Sequence, residues 1–410
     1  MWTPPFPVPA RIRRTGARRE PSSGRFVDIE VADSPNRPDL DVTGPALVIA
    51  REGGVPVGST FVPPGTRLVG PFAEVVEMRA GAPLPAPTDV AVEITVAICT
   101  RNRPELLERC LQAIRVAVDT AGSQVVARIL VVNNASDNDR PMAVAQSMGV
   151  EVVREPVPGL DVARNRAVAA ATGEVLAFVD DDTVADPTWL LALARSFAAH
   201  PDAVAVTGSV TALSLATDAQ VTFEGCGGFF KGWHAGPLEW DTRPGLPFDP
   251  GIGVGCNMAF RRSALASVGP FDEALDTGPP LAGGGDLDML VRMARFGTVV
   301  YEPSAMVRHE HRATLEALGA QYRSWGLSWG AVLHKWYRRS PTERKLIRSV
   351  TYWTVRWYVH DLIVPRAPGH LRHRDAWRML VGFAAGVTTA YPRSQRRMAR
   401  RRAEAAGLAF

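Results

Sequence analysis

A chain of 410 residues, 46% hydrophobic and 21% charged, has the composition of a globular protein with a sizeable core, built as one large domain with appendages or as two domains. Its formal net charge of +4 is mild for this length and gives no reason to expect nucleic acid as a partner. Four scattered cysteines, Cys99, Cys110, Cys226 and Cys256, form no Cys-x-x-Cys pair, which argues against a zinc site or a disulfide framework and fits buried, reduced thiols in a cytoplasmic protein.

The chain opens with MWTPPFPVPARIRR, whose prolines precede its arginines, the reverse of a secretory signal. No stretch reaches the ~18 consecutive apolar residues of a transmembrane helix, so a cytoplasmic location is expected. Residues 1 to about 25 read as a flexible arm. From Phe26 to Met78, β-branched runs between Gly and Pro turns predict a small β-rich module, and GAPLPAPTD (81–89) reads as a linker. The expected division is 1–90 for the arm and module, 91–312 for a catalytic domain and 313–410 for a helical, Trp-rich, basic region.

Beyond Val90 the rhythm changes. Strands EITVAICT, ARILVVNN, VEVVREP and EVLAFVDDD alternate with helical patterns PELLERCLQAIRVAV, PMAVAQSMG, LDVARNRAVAAATG and PTWLLALARSFAAH. Such alternation predicts βαβ units and a largely parallel sheet, which binds ligands beyond the carboxyl ends of its strands. Three polar clusters fall at such ends: Thr100-Arg101-Asn102-Arg103, Asn133-Asn134 and Asp180-Asp181-Asp182.

Three adjacent carboxylates repel one another unless a cation compensates, and an open oxygen-rich site suits Mg²⁺ or Mn²⁺. Capping of the following helix is the alternative. Asp286 and Asp288 stand where three glycines open a helix, placed either to act as general base on an acceptor hydroxyl or to cap. His309 and His311, two apart after a predicted strand, face one way in extended chain, and one of them could complete a metal site. Arg164 and Asn165 follow Gly159 near a helix start, where Arg can grip a diphosphate or line a solvated face.

Together these residues resemble the family 2 glycosyltransferases, inverting enzymes with a GT-A fold. The resemblance spans roughly residues 93 to 312, through VAICTRNRPELLERCL, ILVVNNASDN, EPVPGLDVARNRAVAAATGEVLAFVDDDTVADPTWL, GCNMAFRRSAL, GPFDEAL, GGGDLDMLVRMARFG and VRHEHR. It implies a Rossmann-like, mostly parallel sheet flanked by helices, and transfer of one sugar from a nucleotide-sugar donor, UDP-linked by preference. The acceptor would be a glycan, a lipid-linked or a small-molecule hydroxyl, as in cell-envelope polysaccharide biosynthesis. On this resemblance Thr100, Arg103 and the Asn133–Ser136 turn hold the base and ribose, with Arg101, Asn134, Gly159 and Asn165 also on the donor side. Arg164 lies near the uracil or diphosphate. Asp180 and Asp182 are the outer residues of a DxD motif, with Asp181 between them; Asp182 is the better metal ligand and Asp180 the nearer to the ribose. Asp286 occupies the place of the catalytic Asp, with Asp288 as its rival, and His309 or His311 is the third metal contact.

Three departures accompany the resemblance. Asn134 stands where an Asp usually contacts the base, and Gly285 replaces the acid that commonly precedes the catalytic Asp. QYRSW (Gln321–Trp325) only approximates the QxxRW of processive members, so single transfers are expected. A sugar-1-phosphate nucleotidyltransferase is a rival reading, but CTRNRP lacks the Gly-rich opening loop; a non-catalytic scaffold is another. In the C-terminal region, Lys345, Arg348 and Arg356 share about a quarter of a helical wheel, Gly382 and Gly386 form a GxxxG pair, and arginines 393, 396, 397, 400, 401 and 402 follow. Two readings stand there: peripheral contact with an anionic membrane, or a helical subdomain on the catalytic core with a solvated tail.

Overall fold

The structure, a computed structural model, describes residues 13–14, 24–30, 40–70, 76–80, 84–86, 91–238, 252–279, 281–363 and 371–407. The expected arm, apart from residues 13–14 and 24–25, and the expected linker, apart from residues 84–86, lie outside the described residues.

The β-branched runs form β1 (Arg25–Glu30), β2 (Leu40–Thr43), β3 (Ala46–Glu52), β4 (Val55–Val62) and β5 (Thr66–Gly70). β3 pairs parallel with β1 and antiparallel with β4, while β2 pairs antiparallel with β5. Side chains alternate along β3, so Ala46, Val48 and Ala50 face one way, into a small core with Val42, Val57 and Val62. Leu47 and Ile49 face the other way and pack on Ala212 and Met306 of the following sheet and on Leu215 and Val221 of the chain beyond Ala212. Burial on both faces accounts for the unbroken apolar run ALVIA. Ion pairs Arg51–Asp186 at 2.7 Å, Arg308–Asp28 at 3.2 Å and Arg79–Glu302 fasten the module to that sheet.

Next in chain order come β6 (Val92–Thr100), α1 (Pro104–Ala121), β7 (Val125–Asn134), α2 (Arg140–Ser147), β8 (Glu151–Glu155), α3 (Leu160–Ala170), β9 (Val175–Asp180), β10 (Thr183–Ala185), α4 (Trp189–Ala199), β11 (Ala203–Ala212), α5 (Asp218–Gly225), β12 (Asn257–Arg261), α6 (Arg262–Val268), α7 (Gly285–Phe296) and β13 (Thr298–His309). Their sheet runs β8-β7-β6-β9-β12-β11-β13-β10, with Gly236–Pro237 also paired to β13. The first four strands are parallel, as the βαβ pattern predicts, and β12 runs antiparallel to both its neighbours. Register sets Thr100 beside Asn133 and Asp180 beside Cys99, so the three polar clusters share one edge of the sheet.

Apolar residues at helical spacing on α1 (Leu107, Leu111, Ile114) meet Trp189 and Phe197 of α4 on one face of the sheet. On the other face, Phe178, Phe260 and Phe271 stack edge-on beneath Met289 and Leu290 of α7. The expected short strand TVVYEP continues through twelve residues to His309.

The C-terminal region forms α8 (Leu315–Arg339), α9 (Arg344–Ile363), α10 (His373–Ala385) and α11 (Tyr391–Ala405). Trp329, Tyr358, Phe383 and Tyr391 build a core continuous with Val291 of α7. The GxxxG pair works inside this bundle: a Cβ on Gly386 would lie 2.8 Å from the Gly330 Cα, so α10 and α8 touch backbone to backbone. The arginine-rich tail, read either as a membrane-binding or as a solvated charge run, is a helix that keeps Arg393, Arg396 and Arg400 exposed and docks through Arg397, Arg401 and Arg402. Arg401 donates to the carbonyls of Pro158 at 2.7 Å and Thr277 at 2.8 Å, Arg397 donates to that of Pro279, and Arg402 pairs with Glu273. No described helix is long and apolar enough to cross a membrane.

Candidate functional site

β9 ends at Asp180, and the turn into β10 carries Asp181 and Asp182. The three acids are not equivalent. Asp181 points inward and accepts hydrogen bonds from Thr100 Oγ1 at 2.8 Å and Arg103 at 3.0 Å. Asp182 Oδ2 lies 3.3 Å from the same guanidinium, and its Oδ1 is 3.2 Å from His309 Nε2. That second approach is not aligned as a hydrogen bond, and Asp182 Oδ1 is buried without a hydrogen-bond partner. Donor atoms of Asp180, Cys256 and His309 stand within 4.8 Å of one another.

Charge crowding shows in the titration of these groups. Burial, then the charge of Asp182, push Asp180 up to about 6. Burial also raises Asp182, but the His309 imidazole, with Arg103 and Arg312, outweighs it and holds the carboxyl down at about 2. His309 is raised, because the Asp182 carboxylate outweighs its desolvation.

These residues fit a hard divalent cation. The His309 imidazole is shared: it clusters with Asp180 on one side and approaches Asp182 on the other, and cis ligands of an octahedral ion with bonds of ~2.1 Å stand about 3 Å apart, close to the Asp182–His309 separation. Cys256 is the odd member. Burial pushes its thiol well above the usual range, which keeps it protonated and a poor ligand for such an ion.

α7 begins at Gly285 after a left-handed Gly284 (φ 96°). Asp286, in its first turn, is half-buried; its Oδ2 accepts from Gly255 N at 2.8 Å. A Cβ on Gly255 would lie 2.7 Å from both Asp286 Oδ2 and Arg164 Nη2, so glycine is what lets the three groups meet. Arg164 is buried and pairs with Asp161 at 3.0 Å and Asp276 at 3.2 Å. It therefore sits beneath Asp286 as part of a buried ionic nest, rather than on a solvated helix face.

Asp288, two residues on, faces the opposite way. It is fully buried, pairs with Lys335 at 2.6 Å and Arg292 at 3.0 Å, and accepts from the Trp336 indole at 3.0 Å. The two histidines also diverge. His309 meets Asp182, while His311 is 2.7 Å from Glu224 of α5. α5 is fixed by a capping box between Thr217 and Gln220.

On the donor side, Asn133 is buried with its Oδ1 unbonded. Asn134 instead spends both ends of its amide on the chain: Nδ2 donates to Val157 O at 2.7 Å, and Oδ1 accepts from Gly159 N at 2.9 Å. Asn165 likewise latches Phe271, donating to its carbonyl at 3.1 Å and accepting from its N–H at 2.8 Å. Ser136 accepts from Asn102 N, and Arg101 is exposed near Arg401.

Several residues here carried no sequence signal: Cys256, Glu224, Asp161 and Asp276. An aromatic loop after α5 also borders the site. In that loop Phe229 lies 5.3 Å from the His309 ring and 5.4 Å from Trp325, centroid to centroid. The loop is anchored by Trp233, fully buried, whose indole donates to Ser59 Oγ of the N-terminal module at 2.8 Å. Nothing in the loop's own sequence marks this anchor, which lies on β4 of the N-terminal module.

Residues 95–269 match the model of Glycosyl transferase family 2. The pre-mycofactocin glycosyltransferase of Mycobacterium tuberculosis is 27% identical over 229 residues, covering 54% of this chain and 44% of that protein. The succinoglycan biosynthesis protein ExoM of Rhizobium meliloti is 28% identical over 265 residues, 59% of this chain and 75% of that one. The chain thus spans less than half the length of the first of these relatives. Among solved structures, the mannosyltransferase PcManGT from Pyrobaculum calidifontis, in complex with GDP-Man and Mn²⁺, aligns over 79% of this chain and 80% of its own, with 19% identity and a TM-score of 0.43.

Proposed function

We propose that this chain, whose residues 95–269 belong to glycosyl transferase family 2, transfers a single sugar from a nucleotide-sugar donor, UDP-linked by preference, to a hydroxyl of a glycan, lipid-linked or small-molecule acceptor. One observation carries the reading. Consecutive residues Gly255 and Cys256 join the two halves of the site: the Gly255 N–H holds the Asp286 carboxylate, and the Cys256 side chain lies among the donor atoms of Asp180 and His309. A base and a cation site on either side of one dipeptide suit a displacement at an anomeric carbon that expels a diphosphate.

In this reading Asp286 takes the proton of the acceptor hydroxyl as the oxygen attacks the anomeric carbon from the face opposite the nucleotide. The bond to the diphosphate breaks, the configuration inverts, and the proton stays on Asp286. Asp180, Asp182 and His309 would hold Mg²⁺ or Mn²⁺, which supplies positive charge to a leaving diphosphate. Asn133, Ser136 and Thr100, at neighbouring strand ends, border the base and ribose. Asp288 is assigned to holding α7 in place, since Lys335, Arg292 and Trp336 already engage its carboxylate.

The test is release of nucleoside diphosphate from a panel of nucleotide sugars, with Mn²⁺ and with EDTA. Metal-dependent release from one donor supports the assignment and identifies the sugar. Silence across the panel, with no metal-dependent nucleotide binding, would refute it.

A further inference from the structure

α9 has two unlike faces. Ile347, Val350, Tyr358 and Asp361 are buried, and at 100° per residue they fall within about 80° of one another. The opposite arc, about 140° wide, carries Lys345, Arg348 and Arg356 together with Tyr352, Trp353, Val359 and Ile363. These four apolar residues are 59%, 47%, 41% and 74% exposed. The arc contains no Asp or Glu.

This is not the pattern of an ordinary solvated helix, whose outer face mixes both charge signs in i,i+4 pairs. The guanidinium of Arg356 instead lies over the Trp353 ring at 5.5 Å. Of the eleven large apolar side chains exposed among the described residues, four lie on this arc, and Trp377 of the adjoining α10 is a fifth. Such concentration marks a contact surface. A second copy of this chain is a poor occupant, because a two-fold pairing would set cations against the same cations.

We infer that the outer face of α9 docks in the plane of an anionic lipid surface. Tyr352, Trp353, Val359 and Ile363 enter the headgroup layer, while Lys345, Arg348 and Arg356 meet lipid phosphates. The contact is peripheral, since no described helix is long and apolar enough to cross a membrane. It goes beyond the transferase reading and stands independently of it.

Flotation of the full chain with vesicles tests this. The chain floats with phosphatidylcholine vesicles containing phosphatidylglycerol, not with phosphatidylcholine alone, and salt reduces the bound fraction. Reversing two cations (Lys345→Glu with Arg348→Glu) weakens binding by more than about tenfold. Trp353→Ser with Ile363→Ser weakens it on the same vesicles, and both pairs keep the parent's melting temperature and vesicle-free donor hydrolysis. The inference is overturned if the parent stays soluble with anionic vesicles at low salt, or if its flotation ignores salt. It also fails if the variants bind as the parent does, or if sedimentation shows a dimer that Ile363→Ser dissociates. Loss of donor hydrolysis in the parent would count against the transferase reading and leave the flotation result intact.

Discussion

The carboxylate of Asp161 fills the space that a side chain on Gly285 would need: a Cβ there would fall within the Asp161 carboxyl group itself. Asp161 is fully buried, with Oδ1 paired to Arg164 and Oδ2 unbonded beside the start of α7. The start of α7 thus has room only for glycine at 285 because α3 places a carboxylate there.

Gly285→Glu alone is expected to destabilise the fold by about 3 kcal/mol or more, through overpacking and a second buried charge. Adding Asp161→Ala should recover part of that loss. Denaturant midpoints of the single and double variants check this; additive losses would show that the two positions do not share one space.

Metal and proton compete for the acidic turn. With Asp180 and Asp276 both pushed up to about 6, the folded chain holds protons that the unfolded chain has lost. Metal-free stability should therefore fall as pH rises from about 4 to about 6, and fall further above about 6.5 as the raised His309 loses its proton. Mn²⁺ should raise the melting temperature more at about pH 7.5 than at about pH 5, its stabilisation reaching up to ~2.7 kcal/mol at one hundred times Kd. An equal shift at both values would contradict the proposed ligand set.

Lys335 bridges Asp288 at 2.6 Å and Asp272 at 2.7 Å, tying α8 to the helix that presents Asp286. Lys335→Met leaves those buried carboxylates without their ammonium partner and should cost about 3–5 kcal/mol. Asp288→Asn should likewise lower the melting temperature while the folded fraction keeps its turnover. Abolished turnover in stably folded Asp288→Asn would revive Asp288 as the base.

Trp233→Phe removes the indole bond to Ser59, worth about 1 kcal/mol, from the loop that carries Phe229. If that loop borders the acceptor, KM for the acceptor should rise with little change in donor binding. A change confined to melting temperature would make the anchor purely structural.

Much of this was legible in the sequence because it is local. Period-two and period-3.6 patterns marked the strands and helices, and the parallel order put Thr100, Asn133 and Asp180 at one edge. The roles inside the clusters were less legible because partners decide them. Asp286 and Asp288 are 200° apart on a helix, and it is Lys335, on another helix, that claims one of them. Asn134 and Asn165 read as ligand groups but latch distant backbone at Gly159 and Phe271. The docking of Arg397 and Arg401 was not legible, because the carbonyls they bind, at Pro158, Thr277 and Pro279, leave no trace in composition.

The most direct measurement is turnover and donor binding in Asp286→Asn, made side by side with the parent protein. The substitution keeps size and an oxygen for the Gly255 N–H but removes the base. The account expects transfer to fall by at least ~10²-fold, with metal-dependent donor binding nearly unchanged. Turnover at the parent's rate would contradict it.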